Sequence, residues 1–130
     1  MQQPKFLITV MPDYGFGPYA WQKPASDSST LVGQCIGTAA HGFEAEDGTT
    51  IGASLQAEFA VWTAQFEQFA EKSGFDWPAF HSIGLSLSRK LKRELGANYR
   101  VSYHKPCEDP ERKNEEYTEV TSDEVGKPIA

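Results

Sequence analysis

Residues 54–103 read SLQAEFAVWTAQFEQFAEKSGFDWPAFHSIGLSLSRKLKRELGANYRVSY, and their periodicity decides the fold. Leu55, Phe59, Trp62, Phe66 and Phe69 recur at steps of four, three, four and three residues. That spacing marks one face of an α-helix, with Ala57, Glu58, Gln65, Glu67 and Gln68 mostly on its other sides. Ser73-Gly74 stops this helix. Asp76-Trp77-Pro78 opens a second, on which Phe80, Ile83, Leu87, Leu91 and Leu95 repeat the helical period up to Gly96. Tyr99, Val101 and Tyr103 then alternate as a strand does. The centre of the chain is therefore helix, turn, helix, strand.

Outward from this centre, Lys5–Met11 is a short apolar run rich in β-formers and predicts a buried central strand. It leads into Pro12–Trp21, where glycines and prolines are interleaved with Tyr14, Phe16, Tyr19 and Trp21. Gly15 and Gly17 allow backbone angles closed to other residues, and Pro12 and Pro18 fix φ. The stretch reads as a shaped loop whose rings either cap the core or face a partner. Residues 22–30 form a polar, mobile connector. Leu31–Thr38 predicts a weaker strand, diluted by Gly33 and Gly37, with His41–Ala45 as its hairpin partner. Asp47-Gly48 is a turn signal, and Ser54 offers an N-cap for the first helix.

The expected architecture is a two-layer α+β sandwich: a mostly antiparallel sheet of three to five strands with a helical hairpin on one face. Residues 1–106 would make the single domain, and 107–130 an acidic, flexible C-terminal tail. The chain has 130 residues, enough for a core without disulfides or metals. Cys35 and Cys107, its two cysteines, fit neither a metal-ligand spacing nor a disulfide framework. No apolar run approaches the roughly 20 residues that span a bilayer, and the N-terminus lacks a signal-peptide pattern. A cytoplasmic protein is expected, without a membrane partner.

Charge is unevenly placed. The formal total is −6, of which −5 comes from residue 107 onward. Nucleic-acid binding is disfavoured, because phosphate contact requires a net basic surface. The only basic cluster is Arg89, Lys90, Lys92 and Arg93, with Arg100 and Lys105 close in sequence. It complements the helix dipole and also suits docking of the chain's own acidic tail.

Catalytic signatures are lacking. His41, His81 and His104 share no metal-ligand spacing. His81 is expected to be half-buried and His104 to lie on the surface. His41, Glu44, Glu46 and Asp47 form one local group suited to a divalent ion, although hairpin-tip acids are ordinarily solvated. Asp13 follows the first strand, a common place for a catalytic group, but an Asp beside Pro and Gly more often bonds its own backbone. No nucleophile elbow, P-loop or dinucleotide fingerprint occurs. We expect no cofactor, no metal and no enzyme, although a small hydrolase using Asp13 and His41 stays as the remote alternative.

The motifs Met-Pro-Asp-Tyr-Gly (Met11–Gly15), Leu-x6-Trp-x3-Phe (Leu55, Trp62, Phe66), Ser-Gly-Phe (Ser73–Phe75) and Tyr-x-Val-x-Tyr (Tyr99–Tyr103) form one layout. Leu-x3-Leu-x2-Glu-Leu-Gly closes the second helix, over Leu87 to Gly96. The layout resembles that of small bacterial proteins of the toxin-immunity type over residues 6–104, poorly over 22–50. The resemblance implies a small α+β protein that binds and neutralises a basic toxin domain, such as a nuclease, of a contact-dependent growth inhibition system. A protein-binding regulatory module is the alternative. Under either reading the expected contact residues are Asp13, Tyr14, Phe16, Tyr19 and Trp21, with Glu44, Glu46 and Asp47 or the tail supplying charge.

Overall fold

The computed structural model describes residues 4–29, 31–110 and 117–120. In chain order the elements are β1 (Phe6–Val10), β2 (Pro18–Pro24), β3 (Gln34–Thr38), β4 (Gly42–Phe43), α1 (Ala53–Phe69), α2 (Trp77–Leu95), β5 (Tyr99–His104) and β6 (Tyr117–Val120). The α+β architecture matches expectation, but the sheet is larger and mixed. Six strands run in the order β4-β3-β2-β1-β5-β6, and β1 pairs with β5 in parallel. The expected three to five mostly antiparallel strands are corrected accordingly. Direction is set by the connection: four hairpin-linked strands are followed by two helices, which carry the chain back beside β1 in the sense of β1.

The largest revision is β2. Residues 18–24, divided in the sequence reading between an aromatic loop and a polar connector, form a full strand between β1 and β3. Prolines at its two ends hid it, yet a strand tolerates proline at its first residue. The ladder with β3 shifts register between Pro18 and Ala20 and again between Ala20 and Trp21. This irregularity turns Tyr19 onto the helices, where its ring stacks on Phe59 with centroids 4.1 Å apart.

Register places Ile8 and Val10 of β1 beside Val101 and Tyr103 of β5, and all four are buried. Against this surface the hairpin inserts Leu55, Phe59, Trp62 and Phe66 from α1, and Phe80, Leu87, Leu91 and Leu95 from α2. Those are the residues the helical period selected, except that Phe69 and Ile83 come out largely exposed. Trp62 stacks on Phe80 at 4.6 Å, and its indole N–H donates to the Phe80 carbonyl at 3.1 Å. A buried indole is thus satisfied without water.

Capping separates the two helices. Asp76 accepts a bond from the Ala79 N–H at 3.1 Å, as an N-cap should, with Pro78 in the first turn. At α1 the N-cap is Gly52, not Ser54, and it makes no side-chain cap. Glu94 of α2 accepts from the Gly52 N–H at 2.8 Å instead.

Of the acidic stretch 107–130, residues 111–116 and 121–130 lie outside the described residues. Its described parts join the domain. Tyr117–Val120 pairs antiparallel with β5. Glu119 takes Arg100 in two bonds, at 2.7 and 2.9 Å, which pairs one acid of the tail with one base of the cationic cluster. Asp109 is only 5% exposed. Among the described residues no helix is long and apolar enough to cross a membrane.

Candidate functional site: an acid-flanked aromatic loop

Between β1 and β2 the chain makes the loop Met11–Gly17, and backbone bonds hold it in place. The Ala39 N–H donates to the Gly17 carbonyl at 2.8 Å, and the Ala40 N–H to the Phe16 carbonyl at 3.1 Å. The loop is therefore fixed to the turn between β3 and β4. Gly17 has a positive φ of 70°, and a Cβ there would stand 2.6 Å from that of Ala39. Only glycine permits both the angle and the approach.

On this fixed loop Phe16 is 71% exposed and Tyr14 38% exposed. Tyr14 lays its ring on Phe66 at 4.8 Å. Its phenol is pushed up to about 12, by desolvation first and then by its bond to Glu71. Phe16 stands 5.8 Å from the ring of His41. A groove of about 500 Å³ runs from Phe16 over Gly17, Ala39 and Ala60 to Ala64 and Glu67. Beyond His41 a second groove of about 400 Å³ crosses the β3–β4 edge past Glu44 and Glu46. Neither groove is lined by a lysine or an arginine. The result is a ridge of two rings with carboxylates on both sides.

The sequence-derived contact set divides. Tyr14, Phe16, Glu44 and Glu46 are on or beside this surface. Asp13 supports the loop, its carboxylate accepting from the Tyr14 N–H at 2.8 Å, so it acts as the turn-former that its neighbours implied. Tyr19 is a correction: it is 0% exposed, donates to Gln56 and stacks on Phe59, so packing on α1 claims its ring. Trp21 is half-buried on β2 and donates to the Met11 carbonyl at 3.0 Å. Asp47 serves the fold as well: its carboxylate accepts from Tyr99 at 2.5 Å and from the Thr49 N–H at 3.1 Å. The Tyr99 bond, ahead of those from Thr49, holds the Asp47 pKa below the usual 3.8.

Of the two grooves beside the loop, His41 lines the one with Glu44 and Glu46, and Asp13 lines neither. Among the described residues no three His, Cys, Asp or Glu side chains converge as a metal site. No disulfide joins Cys35 to Cys107.

Sequence reasoning missed two features. Glu67 and Ala64 belong to this surface because the loop docks on the solvent side of α1, a placement that helical period cannot give. The second is buried. His81 bonds Tyr103 through Nδ1 and Asp109 through Nε2, each at 2.7 Å. A ring with its hydrogen on Nε2 donates to the carboxylate and accepts from the phenol, satisfying all three groups. His104, expected at the surface, is also buried. With both ring nitrogens of His81 occupied and Tyr103 enclosed, this cluster joins α2, β5 and the turn after β5; it offers no open reacting atom.

The chain matches no protein-family model, and the comparisons find no similar curated protein and no similar solved structure.

Proposed function

We propose that this chain is a cytoplasmic immunity protein that binds and neutralises a basic toxin domain of a bacterial competition system. The observation carrying the proposal is Phe16, which projects from a loop held by backbone bonds and is flanked by carboxylates. An exposed aromatic on a rigid loop has little conformational entropy left to lose on binding, the property of an interface anchor. The acids around it, within a chain of net charge −6, would speed encounter with a cationic partner and disfavour acidic ones. Catalysis by Asp13 and His41 has less support, since Asp13 is turned onto its own backbone.

The test is to identify the genes next to this one and to co-express the protein with any basic toxin domain that they encode. The full-length protein should restore growth and form a stoichiometric complex. Phe16→Asp should weaken that complex by ~30-fold or more, the scale of a hot-spot residue. It should leave the melting temperature unchanged, because Phe16 is outside the core. Rescue by Phe16→Asp equal to that of the unaltered protein would remove the loop from the interface. Stoichiometric capture of a housekeeping protein, with no growth protection, would favour the regulatory module.

A further inference from the structure

The groove beside Phe16 has a shape and charge that specify what enters it. Along its floor are Gly17, Ala39, Ala60 and Ala64, none of which carries more than a methyl group, and Thr63 and Gln68 line it as well. One wall is the exposed ring of Phe16, and Glu67 stands on the α1 side. The floor is not free to collapse, because Gly17 is pinned between Ala39 and Thr63. A long aliphatic stem can lie along the alanines, with a cationic head between a ring face and a carboxylate. Such a head gains cation–π attraction and a charge-assisted hydrogen bond together. A neutral apolar side chain would fill the floor and leave the Glu67 carboxylate unanswered. An acidic one would be repelled.

We infer that this groove is a slot for one arginine or lysine side chain of the protein partner, with Phe16 and Glu67 as its two recognition groups. This rests on the protein-binding reading above and names the chemistry that the surface selects. Arginine is the better fit, because its planar guanidinium stacks on a ring while directing N–H donors at a carboxylate.

The experiment is nuclear magnetic resonance titration of the full-length protein with three probes: a tetra-arginine peptide, a tetra-lysine peptide and a neutral tetra-norleucine peptide carrying a solubilising tail. Arginine should shift the amides of Phe16, Ala39, Ala64 and Glu67 and bind most tightly, and norleucine should bind least. Glu67→Gln should weaken arginine binding by ~3-fold or more, in line with loss of one charge-assisted contact at an exposed site. Ala64→Trp fills the groove from an exposed helix position and should abolish the shifts while circular dichroism shows an unchanged fold. Glu67→Lys serves as a second variant if Ala64→Trp proves unstable, and it should abolish binding by repulsion. Arginine shifts that centre elsewhere, norleucine binding as tightly as arginine, or arginine binding intact in a folded Ala64→Trp or Glu67→Lys variant would each overturn the slot. The two proposals fail separately. Toxin complex lost in Phe16→Asp but kept at full strength in Ala64→Trp rejects the slot and keeps the immunity reading. Peptide binding as expected without growth protection does the reverse.

Discussion

At Gly84 the α2 backbone passes so close to the sheet and to α1 that no side chain fits. A Cβ there would lie 2.5 Å from the ring of Tyr103 and 2.7 Å from that of Trp62. Both rings are buried, so neither can swing aside. Gly84→Ala should therefore destabilise the protein by about 1–3 kcal/mol through overpacking, partly offset by up to ~1 kcal/mol of helix propensity gained. Urea unfolding measures this, and a variant as stable as the parent would mean that the two helices can separate without loss. Tyr19 makes the complementary point. In the sequence it stands among exposed-looking loop aromatics, and only the register shift in β2 brings it onto Phe59. Phe16, three residues earlier, has the same kind of sequence neighbourhood and the opposite fate. The difference comes from which ring the neighbouring elements cover, and no local signal encodes that.

Among elements, the helices were legible because their signals are local. Period 3.6 put Leu55, Phe59, Trp62 and Phe66 on one face, and Asp76 and Pro78 announced the start of α2. The start of α1 was less legible, because its N-terminus is tied to Glu94, 42 residues away. A matched pair of substitutions tests the distinction. Asp76→Ala should lower stability by about 1 kcal/mol, the usual effect of losing an N-cap, whereas Ser54→Ala should change it by less than ~0.5 kcal/mol. Equal losses in chemical denaturation would show that Ser54 caps α1 after all. Strand β2 illustrates the limit of local signals. Its alternation is interrupted at Tyr19, so a period-two pattern is lacking even though both of its neighbours pair with it.

Over the whole molecule, charge and burial together define a pH range of stability. Asp47 and Glu119 are held below their ordinary values of 3.8 and 4.5, by the Tyr99 bond and the Arg100 pair respectively. For such depressed carboxyls the added stability is complete above the unfolded-state values and is lost as pH falls through the folded-state ones. At the other end, desolvation raises Tyr19, Tyr99 and Tyr103 above the ordinary value of 10.0. For a raised tyrosine, stability is complete below the unfolded value and declines above it, because the unfolded chain ionises first. Thermal melts should thus show a plateau between roughly pH 5 and pH 10 and a falling midpoint on both sides. A midpoint still constant at pH 3 would mean that the Asp47–Tyr99 and Arg100–Glu119 contacts contribute nothing to folding.

The sequence by itself determined the helical hairpin, the apolar faces it buries, the central position of β1, the strand at Tyr99–His104 and the uneven placement of charge. Each is carried by periodicity or composition within a few consecutive residues. Only the tertiary structure decided the parallel pairing of β1 with β5, the presence of β2, the burial of Tyr19 and His104, and the joining of Asp109 to His81 across 28 positions. It also decided which aromatic of the loop stays in solvent. Those outcomes depend on which segments meet in space, and pairing energy between distant segments leaves no period in the sequence of either one.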